Sequence, residues 1–182
     1  MNIDELKTAA EKGDPKAQYT LGLAYYNGDR VPRNHVEAAR LWLLAAQQDL
    51  VEAQCNISTL YASGDGVPQD YQESLKWLRK AADPEQGNNA GAQYNLGCAY
   101  RDGEGVTADD TEAVKWWRLA AEQGDADAQY ALAMAYIGGK GVPLPVSATA
   151  LMGAVELLRK AAAQGHTKAK MALEMFKQKG II

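Results

Sequence analysis

Apolar and small residues in this chain recur at steps of three and four, and the whole pattern then recurs along the chain. Ala17, Leu21, Ala24, Tyr25 and Gly28 fall on one face of a helix. Ala38, Leu41 and Ala45-Ala46 mark a second helical face shortly after it. The leading alanine returns as Ala17, Ala53, Ala92 and Ala128, which stand 36, 39 and 36 residues apart. With it return Gln18, Gln54, Gln93 and Gln129, then an apolar residue at Leu21, Ile57, Leu96 and Leu132, and a tyrosine at Tyr25, Tyr61, Tyr100 and Tyr136. A degenerate fifth copy begins at Ala169. Self-similarity at such a period identifies an array of helix pairs, because one pair cannot cover its own apolar face and must be covered by its neighbours. The reading is a single all-α repeat domain over 1–182. It comprises an N-terminal capping helix at 1–13, repeats at 14–46, 50–82, 88–121 and 125–162, and a C-terminal capping helix at 166–182.

Punctuation within each copy agrees with this. The first helix of each pair should end at Gly28, Gly64, Gly103 and Gly139, since glycine enters the left-handed conformation of a helix C-terminus without steric cost. A second glycine follows at Gly66, Gly105 and Gly141, but Arg30 stands there in the first copy, so that turn is expected to differ in backbone shape. Asn34, Asp70 and Asp109 are placed to cap the second helices, whereas Pro145 breaks the pattern in the fourth copy. The second helices align Leu41, Trp77, Trp116 and Leu157, with Trp77 and Trp116 expected to supply large buried area. Gly22 and Gly97, with Ser58 and Ala133 at the same position, predict a tight helix crossing.

At this point the residues resemble a known family. The run Ala-x-Ala-Gln-Tyr-x-Leu-Gly-x-x-Tyr-x-x-Gly-x-Gly-Val-x-x-Asp, followed by Ala-x-x-Trp-x-x-x-Ala-Ala, is similar to the Sel1-like repeat, a relative of the tetratricopeptide repeat. Ala90 to Ala121 carries it best, through Asn95-Leu96-Gly97, Tyr100, Gly103, Gly105-Val106, Asp109, Ala113 and Trp116. The resemblance implies a right-handed α/α superhelix, a solenoid of helix-turn-helix repeats. It also implies a scaffold or adaptor role, often bacterial, without a single chemistry attached.

Composition narrows the alternatives. The chain has 182 residues, 47% of them hydrophobic and 23% charged, and a formal net charge of −4. That gives no basic footprint for nucleic acid or an anionic membrane. No apolar stretch reaches the length of a membrane span, and Met1 to Ala10 is acidic and amphipathic rather than signal-like. The expected location is the cytoplasm, or the periplasm if a leader precedes this sequence. Two histidines, His35 and His166, lie far apart in sequence and lack a carboxylate or cysteine at ligand spacing, so they read as surface residues and no metal site is expected. Asp102, Glu104, Asp109 and Asp110 surround a glycine turn without the loop of a calcium site, and turn and cap roles explain them. No nucleophile elbow, phosphate loop or dinucleotide fingerprint occurs, so neither enzymatic activity nor a cofactor is expected.

On the first helices a second stripe, displaced from the buried one, varies between copies. It comprises Lys16, Tyr19, Leu23, Tyr26 and Asn27, then Glu52, Cys55, Thr59 and Ser63, then Tyr94, Cys98, Arg101 and Asp102, then Asp127, Tyr130, Met134 and Ile137. By analogy with tetratricopeptide arrays these residues line the concave face and contact a protein or peptide. Because they recur at one position, Tyr19, Tyr94 and Tyr130 are read as packing residues ahead of contacts, while Tyr26, Asn27, Thr59 and Arg101 are read as contacts. Two insertions, near 83–89 and within Pro143–Gly153, are read as tolerated surface loops ahead of added partner contacts.

The resemblance also implies that a cysteine-rich branch staples each helix pair and has been linked to β-lactamase activity. Here Cys55 and Cys98 sit in different repeats, out of register, so reduced thiols are expected and the hydrolase reading is weakened. Three functions follow: a protein-binding scaffold first, an immunity or inhibitor protein against a toxin or effector second, a hydrolase last. A monomer is favoured over an oligomer, and exposed end helices such as Met171 to Gly180 are the alternative.

Overall fold

The computed structural model describes residues 2–178. Those residues form ten helices and no strand: α1 (Ile3–Glu11), α2 (Pro15–Asn27), α3 (His35–Ala46), α4 (Val51–Ser63), α5 (Tyr71–Ala82), α6 (Ala90–Asp102), α7 (Asp110–Glu122), α8 (Ala126–Gly138), α9 (Ala148–Ala163) and α10 (Thr167–Gln178). Of the expected C-terminal capping helix and the Met171–Gly180 end helix, residues 179–182 lie outside the described residues, as does residue 1 of the N-terminal one. The helices group into two units, Met1–Asn88 and Asn89–Ile182, divided at the lengthened turn that follows α5. Within each unit every helix packs on the next in sequence.

The glycines behave as their positions require. Gly28, Gly64, Gly103 and Gly139 close α2, α4, α6 and α8 in the left-handed conformation. Asn34, Asp70 and Asp109 cap α3, α5 and α7 through side-chain oxygens that accept first-turn N–H groups. The turn at Arg30 does not differ in backbone shape as expected: Arg30 has φ 61, in the same left-handed region as Gly66 and Gly141. A Cβ on Gly66 would lie 2.3 Å from the His35 carbonyl oxygen, and one on Gly141 would lie 2.0 Å from that of Asp110. Glycine at those copies therefore serves close packing against the preceding pair's second helix. The helix packed before α2 is α1, which has nine residues against 12 in α3 and 13 in α7.

Within each unit, buried glutamines of the recurring Ala-Gln pairs tie a first helix to the helix before it. The buried amides of Gln18, Gln54 and Gln129 donate to the carbonyls of Ala10, Ala46 and Ala121 at the end of the preceding helix, at 3.2, 3.4 and 3.4 Å. The Gln18 and Gln129 carbonyl oxygens in turn accept from Gln48 and Gln164 at 2.9 and 3.1 Å. Gln93 likewise accepts from Gln123 at 2.8 Å. Each glutamine thus supplies partners to helix-end groups that burial would otherwise leave unpaired.

One expectation about the core is corrected. Trp77 is buried, but Trp116 is only half-buried, and the indole seated in the core of α7 is Trp117, 4% exposed. Its counterpart on α3 is Trp42, 3% exposed. These two face the tight crossings: a Cβ on Gly22 would lie 2.4 Å from Trp42 Nε1, and one on Gly97 would lie 2.5 Å from Trp117 Nε1 and Cδ1. Where the second helix carries Leu78 or Leu158 instead, the crossing residue is Ser58 or Ala133. Small residues thus compensate the bulk of an indole.

The insertions are also more ordered than free loops. The first is a hydrogen-bonded turn in which Asn88 N–H donates to the Asp83 carbonyl at 2.7 Å and Glu85 N–H donates to the Asp83 carboxylate at 2.8 Å. The second is partly helical: α9 runs 16 residues against 12 or 13 in α3, α5 and α7, starting from a Ser147 cap beyond Pro145.

Candidate interaction groove

In the Asn89–Ile182 unit the first helices α6, α8 and α10 and the starts of their neighbours enclose a groove of about 600 Å³. Tyr94 and Arg101 come from α6, Asp110 and Trp117 from α7, and Asp127, Tyr130 and Met134 from α8. Lys140 comes from the turn after α8, and His166, Thr167 and Lys168 from the start of α10. The size lies in the range of sites that take small molecules or side-chain clusters. Helical spacing explains why these residues meet: Tyr94 and Arg101 are two turns apart on α6, and Tyr130 and Met134 one turn apart on α8.

Arg101 organises one wall. Its Nε and Nη2 donate to the two carboxylate oxygens of Asp102 at 2.7 and 2.6 Å, and its guanidinium carbon sits 5.7 Å from the Trp117 ring centroid. The pair holds the Asp102 carboxyl below the ordinary carboxylate range and raises the Arg101 guanidinium, so both stay charged. Burial raises the Tyr94 phenol, helped by neighbouring Cys98, so its hydroxyl remains protonated.

Both histidines are corrected from the surface reading. His166 is 12% exposed at its side chain, stacks on Tyr130 with centroids 4.7 Å apart, and lies 3.1 Å through Nε2 from the Asp127 carboxylate. Its Nδ1 accepts the Ala169 N–H at 3.0 Å and so caps α10. That bond requires a lone pair on Nδ1 and directs the Nε2 proton at Asp127. His35 stacks on Tyr26 at 4.6 Å and meets Asp65 through Nδ1 at 2.5 Å, tying the start of α3 to the turn after α4. The sequence concealed both carboxylates because they lie 30 and 39 residues from their imidazoles. Among the described residues no group of three or more His, Cys, Asp or Glu could hold a metal ion.

Of the stripe read from sequence, Tyr94, Arg101, Asp127, Tyr130 and Met134 come together at this groove. Asp102 stands behind Arg101, Cys98 is half-buried against the core of α7 and α8, and Ile137 packs into the cluster with Leu158 and Phe176. In the other unit the stripe is occupied by the fold itself: Tyr19, Leu23 and Tyr26 pack on the Trp42 cluster, with Tyr26 5.3 Å from the Trp42 ring. Lys16, Asn27, Glu52, Thr59 and Ser63 are exposed there; the Thr59 and Ser63 hydroxyls donate to the Cys55 and Leu60 carbonyls on their own helix. Sequence reading missed Asp110, Lys140 and His166 because it followed first helices, whereas the groove also draws on turns and the edge of α7, and it missed Lys168 because the stripe was followed through four copies only.

The Sel1 repeat family matches residues 15–50, 51–83, 90–125 and 126–166, most of the chain. This chain belongs to the Sel1 repeat family. A crystal structure of a Sel1 repeat protein from Oxalobacter formigenes is 34% identical, with a TM-score of 0.83, over 94% of this chain and 65% of that one. The chain therefore spans about two thirds of that relative's length. A protective antigen of uropathogenic Escherichia coli that displays an SLR fold is 29% identical, with a TM-score of 0.51, over 98% of this chain and 44% of that one. No curated protein matches the chain. Its fold is the all-α Sel1 solenoid.

Within these Sel1 repeats the two thiols are free and half-buried. Burial, with Glu52 nearby, pushes the Cys55 thiol up to about 11 from an ordinary 9.0, and burial also raises Cys98. Thiolate, not thiol, is the nucleophile. Cys55 in the folded protein should therefore be alkylated by iodoacetamide about a hundredfold more slowly near pH 7 than in the urea-unfolded chain. Mass spectrometry of a labelling time course reads this; equal rates would place the thiol in water. The same shift makes stability fall as pH rises above 9.0, because the unfolded chain releases this proton while the folded one still holds it.

Proposed function

We propose that this Sel1 repeat chain is a protein-interaction module that holds a segment of another protein in the groove formed by α6, α8 and α10. The observation that carries the reading is the groove itself. Two tyrosines, a methionine 39% exposed and an arginine braced by Asp102 and Trp117 face solvent together in it. Tyrosine, tryptophan and arginine concentrate binding energy at protein interfaces, and methionine adapts to varied apolar partners. Rigid helices hold these side chains, so little ordering entropy is lost on binding.

The test is affinity capture from the organism that encodes the chain, wild type beside an Arg101→Ala/Met134→Ala variant. Both substitutions lie at the surface, so the melting temperature should stay within a few degrees while affinity falls about tenfold or more. A protein retained by wild type and lost from the variant, then confirmed by direct titration, supports the reading. Equal retention moves the site away from this groove.

A further inference from the structure

Four residues of the groove have counterparts 75 residues earlier in the chain: Trp117, Arg101, Asp110 and Lys140 correspond to Trp42, Tyr26, His35 and Asp65. In the earlier copy these side chains fill one another's space. The Tyr26 and Trp42 ring centroids are 5.3 Å apart, the His35 imidazole stacks on Tyr26 at 4.6 Å, and the Asp65 carboxylate holds that imidazole through Nδ1. The later copy keeps the same backbone arrangement, because Gly66 and Gly141 press in the same way on the carbonyls of His35 and Asp110. Its side chains differ. Arg101 takes the place of the Tyr26 ring, its guanidinium carbon 5.7 Å from the Trp117 centroid, and a short carboxylate takes the place of the imidazole. The space that His35 fills in one copy is thus open groove in the other, lined by Asp110.

The walls of that space offer a planar face and no excess of charge. Asp102 neutralises Arg101 through its paired bonds from Nε and Nη2, and Lys140 and Lys168 are matched by Asp110 and Asp127. The paired bonds lie in the guanidinium plane and fix its orientation. Trp117 covers one side of Arg101, yet the side chain is 44% exposed and lines the groove, so its other side is presented there. A guanidinium face stacks on the electron-rich face of an aromatic ring, and a carboxylate at the guanidinium edge leaves that face available. Tyr130 and Met134, one turn apart on α8, supply apolar contact beside it.

Resting on the protein-binding reading above, we infer that the groove anchors a segment of a partner protein by one aromatic side chain. That ring stacks on the outer face of Arg101, in the space that the His35 imidazole occupies in the first copy, and adjoining apolar side chains of the segment rest on Tyr130 and Met134. An aromatic anchor brings a large rigid contact area at low entropic cost, which suits a groove without net charge to attract a partner.

The experiment is selection of a displayed random peptide library on the full chain, with the selected peptides titrated by fluorescence anisotropy. Enrichment of one Trp, Tyr or Phe beside Leu or Met, without a bias in charge, is expected. Replacing that ring by Leu in the peptide should weaken binding about tenfold. Asp110→His should weaken the peptides by a similar factor, because it restores the imidazole that closes the first copy. Asp110→Asn removes the charge but leaves the space open, and affinity should stay within about twofold. Arg101→Lys keeps the charge without the planar face and should lose as much as Arg101→Ala. Asp109 caps α7, so both Asp110 variants should melt within a few degrees of wild type. Selected peptides that lose affinity with Met134→Ala but carry no ring, or that bind the Asp110→His or Arg101→Lys chain undiminished, would overturn the aromatic anchor and leave the protein-binding reading standing. Failure to select any peptide above an empty support would overturn both.

Discussion

Trp117→Ala should lower the unfolding free energy by about 3–5 kcal/mol, the range for removing a buried tryptophan from a packed core. The side chain is 4% exposed and belongs to the cluster with Ala113, Ala120, Ala128 and Leu132, so it joins α7 to α8. Its ring also lies under Arg101 and against Gly97, which has no side chain to refill the space. Relaxation is therefore limited, and the cavity persists as a cost. Trp116→Ala is the control: that ring is half-buried, so its removal should cost clearly less. Urea melts followed by circular dichroism give both numbers. A larger loss from Trp116→Ala than from Trp117→Ala would mean that α7 is rotated on its axis relative to the packing described.

That pair of tryptophans also shows where sequence reading stops. The repeat, the helix pairs, the glycine stops and the Asn34, Asp70 and Asp109 caps were legible because each is a local signal, settled within a few residues. Choosing between adjacent Trp116 and Trp117 needs the azimuth of the helix to within part of a turn, since neighbouring residues point about 100° apart. Alignment on the alanines could not supply it, because repeat one presents Leu41-Trp42 and repeat two Trp77-Leu78, with the indole on opposite members of the pair. The same limit applies to the groove. Tyr94, Arg101, Tyr130 and Met134 follow from helical spacing, but Lys140 and His166 arrive from turns whose placement depends on how successive pairs stack. Arg30 failed for a different reason: glycine at that turn answers to a neighbouring carbonyl, that of His35 at Gly66 and of Asp110 at Gly141, which lies outside the local sequence.

The sharpest test of that stacking is Gly97→Ala. By helix propensity alone the change would stabilise α6 by up to about 1 kcal/mol. Here the new methyl would meet Trp117 Nε1 and Cδ1 at 2.5 Å and the Ala113 carbonyl oxygen at 3.1 Å, and neither a rigid indole nor a backbone yields easily. Overpacking of this kind costs about 1–3 kcal/mol, so the variant should be destabilised despite its better propensity. In a Trp117→Leu background the sign should reverse, because the chain already pairs Ala133 with Leu158 at the equivalent crossing, both fully buried. Gly97→Ala should then be neutral or stabilising, and the double-mutant cycle should return a coupling of about 2–3 kcal/mol. A coupling near zero would mean that Gly97 and Trp117 do not share the crossing, and the complementarity of small residue and indole across the repeats would lose its physical basis. A measured coupling would make that complementarity a rule for exchanging repeats within this array: an indole at the position of Trp42 and Trp117 requires glycine on the first helix, and leucine at that position, as in Leu78 and Leu158, admits serine or alanine.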